Sequence, residues 1–364
     1  MKKIMLICVS SQNVLTFRRS MIETLKENGY EVSVVAFDGE YREQIEALGV
    51  EFRVIGDSNR SLNPFKALSL KKKYKKIIKE LSPDIVFTFM LKPNTFGVLA
   101  AKSAGVKVIY SMVEGIGDVF INNSMKWKLV RCAVSFLYKR SLKHSKRVFF
   151  LNPDDKNEFL TRKFVCESQV VNLSGIGVDL ERFSKREVKN DNVFLMIARM
   201  LRTKGIFEYC ECARRVRAVR PNARFDYLGG EGNVTLADIK EYIDDESINY
   251  LGTTSDVRPY IEDSTFLVLP SYREGCPVSV MEAEAVGRGI ITTTNPGCKE
   301  TVINGVNGFL VEGKNVEAMV EKCIFVLDNP AEARKMCEES RRFAEEHFDK
   351  DKINNQILEI LEQR

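Results

Sequence analysis

Histidine is almost missing from this chain. The 364 residues hold two, His144 and His347, and a single tryptophan, Trp127. With two imidazoles in the whole chain, zinc chemistry is not expected. Nor do the nine cysteines replace them: they are scattered, and Cys210-x-Cys212 is too tight for a C-x₂-C knuckle. The odd count also argues against a disulfide framework. No stretch reaches the ~18 uninterrupted apolar residues of a membrane-spanning helix. The opening MKKIMLICVSSQ pairs two lysines with a short apolar run. It lacks the apolar length and small-residue cleavage site of a secretory signal, and it reads as a first buried strand. After that strand no G-x-G-x-x-G follows, so a dinucleotide-binding domain loses its main support. These absences together lead us to expect no resident metal or cofactor and a cytoplasmic protein.

What is present is an ordinary globular composition, 44% hydrophobic and 29% charged, on a chain long enough for two cores. Residues 3–9 form a continuous apolar run, the pattern of a strand buried on both faces of a parallel sheet. Strands and helices then alternate, with a polar loop at Ser10-Ser11-Gln12-Asn13, a helix over 16–28 and strands at 32–37 and 51–55. The pattern continues through strands at 84–89, 107–111, 147–151 and 169–173. After a polar, unpatterned segment at 184–192, which reads as a linker, it restarts with strands at 193–197, 224–228 and 266–269. This is an α/β chain of two doubly wound domains. The domains are drawn at 1–184 and 185–345, with a last helix at 346–364 that crosses back to the first.

The net charge of +5 is unevenly spread: residues 1–190 carry +13 and the remainder −8. Two helices hold much of the excess. One, over 64–81, carries Lys66, Lys71, Lys72, Lys73, Lys75, Lys76 and Lys79. The other, 124–147, interleaves Lys126, Lys128, Arg131, Lys139 and Arg140 with Trp127, Phe136 and Tyr138. Such runs fit a solvated helix face equally well. Basic helices with aromatic residues also suit an anionic bilayer surface, and the segments 66–79 and 124–147 are read as membrane contacts. No nucleic-acid module accompanies the charge, so no nucleic-acid partner is expected.

The stretch 269–310, LPSYREGCPVSVMEAEAVGRGIITTTNPGCKETVINGVNGFL, concentrates the chemistry. A strand runs into a loop with Glu274 and Gly275, and Pro277 opens a helix, where its fixed φ suits the first turn. Glu282 lies on that helix, near exposed N–H groups that suit an anion. Two carboxylates beside an anion site imply a ligand with hydroxyls at both ends and phosphate between, as in a nucleotide-sugar.

The segment E-G-C-P-V-S-V-M-E resembles the E-x₇-E signature of the retaining glycosyltransferases of family 4, which have the GT-B fold. Ala198-Arg199-Met200 with Lys204-Gly205 is similar to the family's G-R-x…K-G segment. Gly177-Val178-Asp179 with Phe183 resembles its G-V-D-x-x-x-F linker, and Asn304-Gly305 with Asn307-Gly308-Phe309 its N-G-x-x-G-F loop. The resemblance covers residues 174–311 by motif and the first domain by pattern. It implies two Rossmann-like domains facing across a cleft.

The same resemblance implies roles. Arg199 and Lys204 would bind the donor diphosphate, neutralising charge that grows as the glycosidic bond breaks. N–H groups around Gly275, Cys276, Pro277 and Val278 would add to this. Glu282 would accept from the ribose and Glu274 from the transferred sugar, while Thr253, in the loop 252–256, would sit by the base. Ser11, in the first-domain loop 10–13, would face the diphosphate. Arg18 and Arg19 could assist there, although both read as surface residues, and Glu284 reads as structural. The departure is in the first domain. Many members carry a histidine in the loop here spanning 111–120, which instead offers Glu114 and Asp118. Its Gly115-Ile116-Gly117-Asp118-Val119-Phe120 resembles a loop of enzymes that extend lipid-diphosphate-linked sugars. The implied reaction is transfer of a hexose or N-acetylhexosamine from a UDP-sugar to a lipid-linked glycan at the inner membrane face. A sugar-nucleotide epimerase or a non-catalytic homologue are the alternatives.

Overall fold

In the computed structural model, which describes residues 1–56, 64–121 and 124–363, thirteen strands form two sheets. The side chains of 64–68, 118, 121 and 126 also lie outside the described set, so Lys66, Asp118 and Lys126 are placed by backbone alone. The chain divides into two compact units, residues 1–173 with 351–364, and residues 174–350.

The first unit holds β1 (Lys2–Ile7), β2 (Tyr30–Ala36), β3 (Glu51–Val54), β4 (Ile85–Phe89), β5 (Val108–Val113), β6 (Arg147–Phe150) and β7 (Val170–Asn172). They lie in the order β3-β2-β1-β4-β5-β6-β7, with every pair parallel. Ile4 stands between Val32 on one side and Ile85 on the other. Continuous apolar strands are what a sheet covered on both faces requires. One face packs Met5, Val35 and Val86 against Leu70, Tyr74 and Ile78 of the helix Pro64–Leu81. On the same face, further along the sheet, a second cluster joins Val148 and Phe150 to Phe159 and Tyr138. The helix Lys350–Glu362 belongs to this unit: Tyr110 donates its hydroxyl to the Ile360 carbonyl (3.3 Å), and Asn354 donates to Ser20 Oγ (2.6 Å).

The second unit holds β8 (Val193–Ile197), β9 (Arg224–Leu228), β10 (Asn249–Tyr250), β11 (Phe266–Leu269), β12 (Gly289–Thr293) and β13 (Gly308–Val311). Their order is β10-β9-β8-β11-β12-β13, again all parallel. Phe194 pairs with Phe225 on one side and Phe266 on the other, at the centre of the core. In each sheet the winding reverses once, between β1 and β4 and between β8 and β11. Ligands of open α/β sheets bind outside the carboxyl ends of strands at such a reversal.

Several sequence expectations are corrected. Residues 11–13 are helical rather than a loop: Ser11 begins the helix Ser11–Phe17, capped by Ser10 Oγ accepting from the Asn13 N–H (3.1 Å). The single helix expected over 16–28 is two, Ser11–Phe17 and Arg19–Glu27, interrupted at Arg18. A π-helical turn, Pro93–Gly97, precedes the helix Val98–Ala104. Residues 174–184, drawn with the first domain, cluster with the second: the Val178 N–H donates to Phe348 O (2.7 Å), and Phe183 lies in the second core. The segment 184–192 is anchored rather than free. The fully buried Arg288 donates to the carbonyls of Arg186 (2.8 Å) and Glu187 (3.1 Å), a long-range anchor that hydrophobic period cannot reveal.

Candidate active site on the second sheet

Five loops leave the carboxyl ends of β10, β9, β8, β11 and β12, neighbours in that order, so their residues line one rim. The loop after β8 carries Arg199 and Lys204, and the loop after β11 carries Glu274. These flank the reversal, and there the two loops are tied together. The Tyr272 N–H donates to Thr203 O (2.8 Å), and Ser271 Oγ lies 3.1 Å from the same carbonyl. Two glycines allow the approach. Gly205, at φ +78, lies so close to β11 that a Cβ would meet Pro270 O at 2.2 Å. Gly297, at φ +81, would press a Cβ to 2.1 Å from Glu274 O. Both positions combine left-handed backbone with absent space, which only glycine tolerates.

At the centre, Lys204 Nζ donates to Glu274 Oε1 at 2.5 Å, and Ser271 Oγ donates to the same oxygen at 2.7 Å. The Glu274 N–H is fixed on Pro296 O (2.9 Å). Glu274 is mostly enclosed (10% exposed) and Lys204 more open (27%). The pair is thus partly wet, and the lysine can reach an incoming anion without the carboxylate losing its serine.

Behind Glu274 the helix Val278–Val286 begins, with Pro277 as its N-cap rather than its first residue. Among the described residues no side chain caps this end, so first-turn N–H groups and the helix dipole stay available to negative charge. Cys276 packs beneath: a Cβ on Gly175 would stand 2.9 Å from its sulfur. Burial drives its thiol well above the usual range, so Cys276 is a packing residue in this state.

Glu282 is half-buried on that helix, and no described group donates to its carboxylate. Burial pushes its carboxyl up to about 8, with Arg182 opposing and Asp256 reinforcing. Two positions along, Glu284 is wholly buried and its pKa is driven well above the carboxylate range. Asn307 Nδ2 donates to Glu284 Oε1 (2.7 Å) and Asn307 Oδ1 accepts from the Ile303 N–H (2.7 Å). The asparagine of the N-G-x-x-G-F segment is therefore a structural clamp, and Glu284 is structural as expected.

Arg199 projects from its loop with no ion pair or hydrogen bond to its guanidinium among the described residues. At the outer end of the rim Thr253 is exposed, with its methyl 3.2 Å from where Gly230 would carry a Cβ. The Gly229 N–H donates to Gly252 O (2.8 Å), joining the loops after β9 and β10.

The two first-unit candidates sit on the rim of their own sheet. Ser11 is buried, donates its hydroxyl to Asp38 Oδ1 and accepts from the Tyr41 N–H (3.3 Å), so it braces the turn after β1. Glu114, after β5, is ion-paired with Arg18. Arg18 corrects the surface expectation: it is buried, lies 4.2 Å over the Phe89 ring, and burial pulls its pKa down to about 10. Arg19 is exposed and pairs with Glu23 (3.1 Å).

Sequence reasoning missed Ser271, Arg182 and Met90. Ser271 stands in the same loop as Glu274, and that proximity was the available signal. Arg182 fills an unspecified place in the G-V-D-x-x-x-F segment. Met90 adopts φ +71 at the end of β4, a strained backbone with no sequence signature.

On this GT-B architecture a lysine–carboxylate pair stands at the reversal of a Rossmann-like sheet, beside an uncapped helix start, a set of groups whose chemistry suits phosphate and hydroxyls. The chain belongs to the glycosyltransferase family whose models match it as "Glycosyl transferases group 1" over residues 178–343 and "Glycosyl transferase 4-like" over residues 3–152. It is 33% identical over 331 residues, 87% of each chain, to N,N'-diacetylbacillosaminyl-diphospho-undecaprenol alpha-1,3-N-acetylgalactosaminyltransferase of Campylobacter jejuni. It is 28% identical to UDP-Gal:alpha-D-GlcNAc-diphosphoundecaprenol alpha-1,3-galactosyltransferase of Escherichia coli, covering 70% of this chain and 69% of that one. Among solved structures, Anabaena HepE in complex with UDP and glucose superposes with a TM-score of 0.79 at 16% identity, covering 99% of each chain. That likeness is one of fold.

Proposed function

We propose that this glycosyltransferase moves a hexose or N-acetylhexosamine, with retention, from a UDP-sugar to a polyprenyl-diphosphate-linked glycan in cell-surface polysaccharide assembly. The observation that carries the donor side is the Lys204–Glu274 pair held by Ser271 at the reversal of the second sheet. The names of the Campylobacter and Escherichia coli relatives support the acceptor class, since both contain a diphospho-undecaprenol-linked sugar. No described helix is long and apolar enough to cross a membrane. A lipid-linked acceptor would then be met at the inner membrane surface, to which the basic first unit is suited.

In this scheme Lys204 and Arg199 neutralise the diphosphate, with the first-turn N–H groups of the helix Val278–Val286 adding partial positive charge. Glu274 and Glu282 accept hydrogen bonds from sugar and ribose hydroxyls, and Thr253 lies by the base. No resident metal enters the scheme. The bond from the anomeric carbon to the phosphate oxygen breaks as that from the acceptor hydroxyl oxygen forms on the same face. The acceptor proton passes to the departing phosphate, releasing UDP.

The test is a panel of UDP- and GDP-sugars with an undecaprenyl-diphosphate-linked acceptor, the product anomer being read by proton coupling. The α-anomer from an α-linked UDP-sugar is the expected product, and Glu274→Ala should abolish it. Inversion would overturn the retaining assignment. Failure to consume any donor, with Glu274→Ala indistinguishable from the parent, would overturn the enzyme assignment.

A further inference from the structure

The helix Met125–Ser141 turns one side to the core and another, equally apolar, to solvent. Val134, Tyr138 and the following Leu142 are buried. Met125, Leu129 and Phe136 are instead 72%, 72% and 63% exposed, and Cys132 between them is exposed as well. At about 100° per residue, positions 125, 129, 132 and 136 fall within about 60° of one another, roughly opposite Val134. Folding therefore leaves a continuous apolar stripe three turns long in water, which a solvated helix face does not require.

Its borders are basic. Lys128 and Lys139 flank the stripe on one side and Arg140 on the other, all exposed. Residues 124–147 contain no Asp or Glu. A second copy of the helix laid against this one would oppose cation to cation with no acid to relieve it. An anionic lipid surface supplies both missing partners, negative headgroups for the borders and acyl chains for the stripe.

We propose that the stripe Met125–Leu129–Cys132–Phe136 is inserted into the headgroup–acyl boundary of an anionic bilayer, with Lys128, Lys139 and Arg140 on lipid phosphates. This deepens the proposed function, on which it rests for the lipid-linked acceptor, by making docking apolar as well as electrostatic. The sequence expectation is revised accordingly. Trp127 is half-buried and Tyr138 buried, so neither aromatic faces lipid, and the insertion falls to Met125, Leu129 and Phe136.

The test compares the intact protein with Met125→Gln/Leu129→Gln/Phe136→Gln in sedimentation with phosphatidylcholine vesicles, with and without phosphatidylglycerol. The parent should bind the anionic vesicles and keep part of that binding in high salt, which screens charge but not apolar burial. The triple variant should lose at least about tenfold in vesicle binding while melting like the parent, since the changed side chains make no core. A fluorophore on Cys132, in a Cys166→Ser background, should shift to the blue with anionic vesicles only. Unchanged sedimentation of the triple variant would overturn the proposal. So would light scattering that finds a parent dimer dissociated by the same changes. Vesicle binding is measured without substrate, so a protein that docks but transfers no sugar would sink the glycan reading alone. One that transfers to a detergent-dispersed acceptor yet ignores vesicles would sink the docking alone.

Discussion

Lys204 and Glu274, 70 positions apart, form an ion pair at 2.5 Å where β8 and β11 diverge, and Ser271 shares the carboxylate oxygen. The carboxylate is thereby oriented before any ligand arrives, and the lysine is held at the mouth of the site. If the two act as one device, Lys204→Met and Glu274→Gln should each lower kcat/KM by about 10²–10³, the loss typical of a group facing developing charge. The double variant should be little worse than the poorer single one. Steady-state kinetics on the four proteins tests this, and strictly multiplicative losses would separate the roles.

Glu282 gives a pH signature. Its carboxyl is raised from 4.5 to about 8, chiefly by burial, so the fold binds a proton there that the unfolded chain has released. Stability contributed by this group is present below the unfolded value and falls as pH rises through that window. Urea midpoints should therefore drop between pH 5 and pH 8 less steeply in Glu282→Gln than in the parent. Donor binding runs the other way: the ionised carboxylate accepts ribose hydroxyls better, so UDP affinity should increase as pH rises through about 8. Calorimetry at several pH values tests it, and an equal slope in Glu282→Gln would assign the dependence elsewhere.

The Arg18–Glu114 pair joins the helix Arg19–Glu27 to the loop after β5, over the Phe89 ring. Removing one member strands the other in a poorly hydrated place. Glu114→Ala should cost about 3–5 kcal/mol of stability. Glu114→Gln should recover part of that, because an amide oxygen still accepts from the guanidinium. Thermal melts of both variants test the order, and a stable Glu114→Ala would mean that solvent reaches Arg18.

The alternation of strand and helix was legible because apolar strands and glycine-ended helices are local patterns. So was the grouping of Glu274, Gly275 and Glu282, which are close in sequence, and Lys204-Gly205 stood out as a motif whose lysine the fold brings to Glu274. What escaped depends on distance. The buried state of Arg18 follows from a carboxylate at position 114, and the charged sequence around it looks like surface. Ser11 sits in a polar run, yet its hydroxyl is committed to Asp38 in a turn that only folding creates. The segment 184–192 has no period, and the residue that holds it comes a hundred positions later.

That residue supplies the last prediction. Arg288 is fully buried, and burial lowers its pKa, yet among the described residues no carboxylate is hydrogen-bonded to it. Its guanidinium instead donates to five carbonyls, those of Ile261 (3.0 Å), Arg186 (2.8 Å), Gly287 (3.0 Å), Glu187 (3.1 Å) and Glu262 (2.9 Å). One planar cation thus fastens the segment 184–192 and the helix Arg258–Asp263 to the start of β12. Arg288→Met fills much of the volume but leaves those acceptors without donors, each at about 1–3 kcal/mol unless water enters. We expect a loss of at least about 3 kcal/mol, with Arg288→Lys between it and the parent, because an ammonium has fewer donors and no fork. Urea unfolding measures the loss, and proteolysis should nick residues 184–192 first in Arg288→Met. A parent-like midpoint would show that packing alone holds the segment.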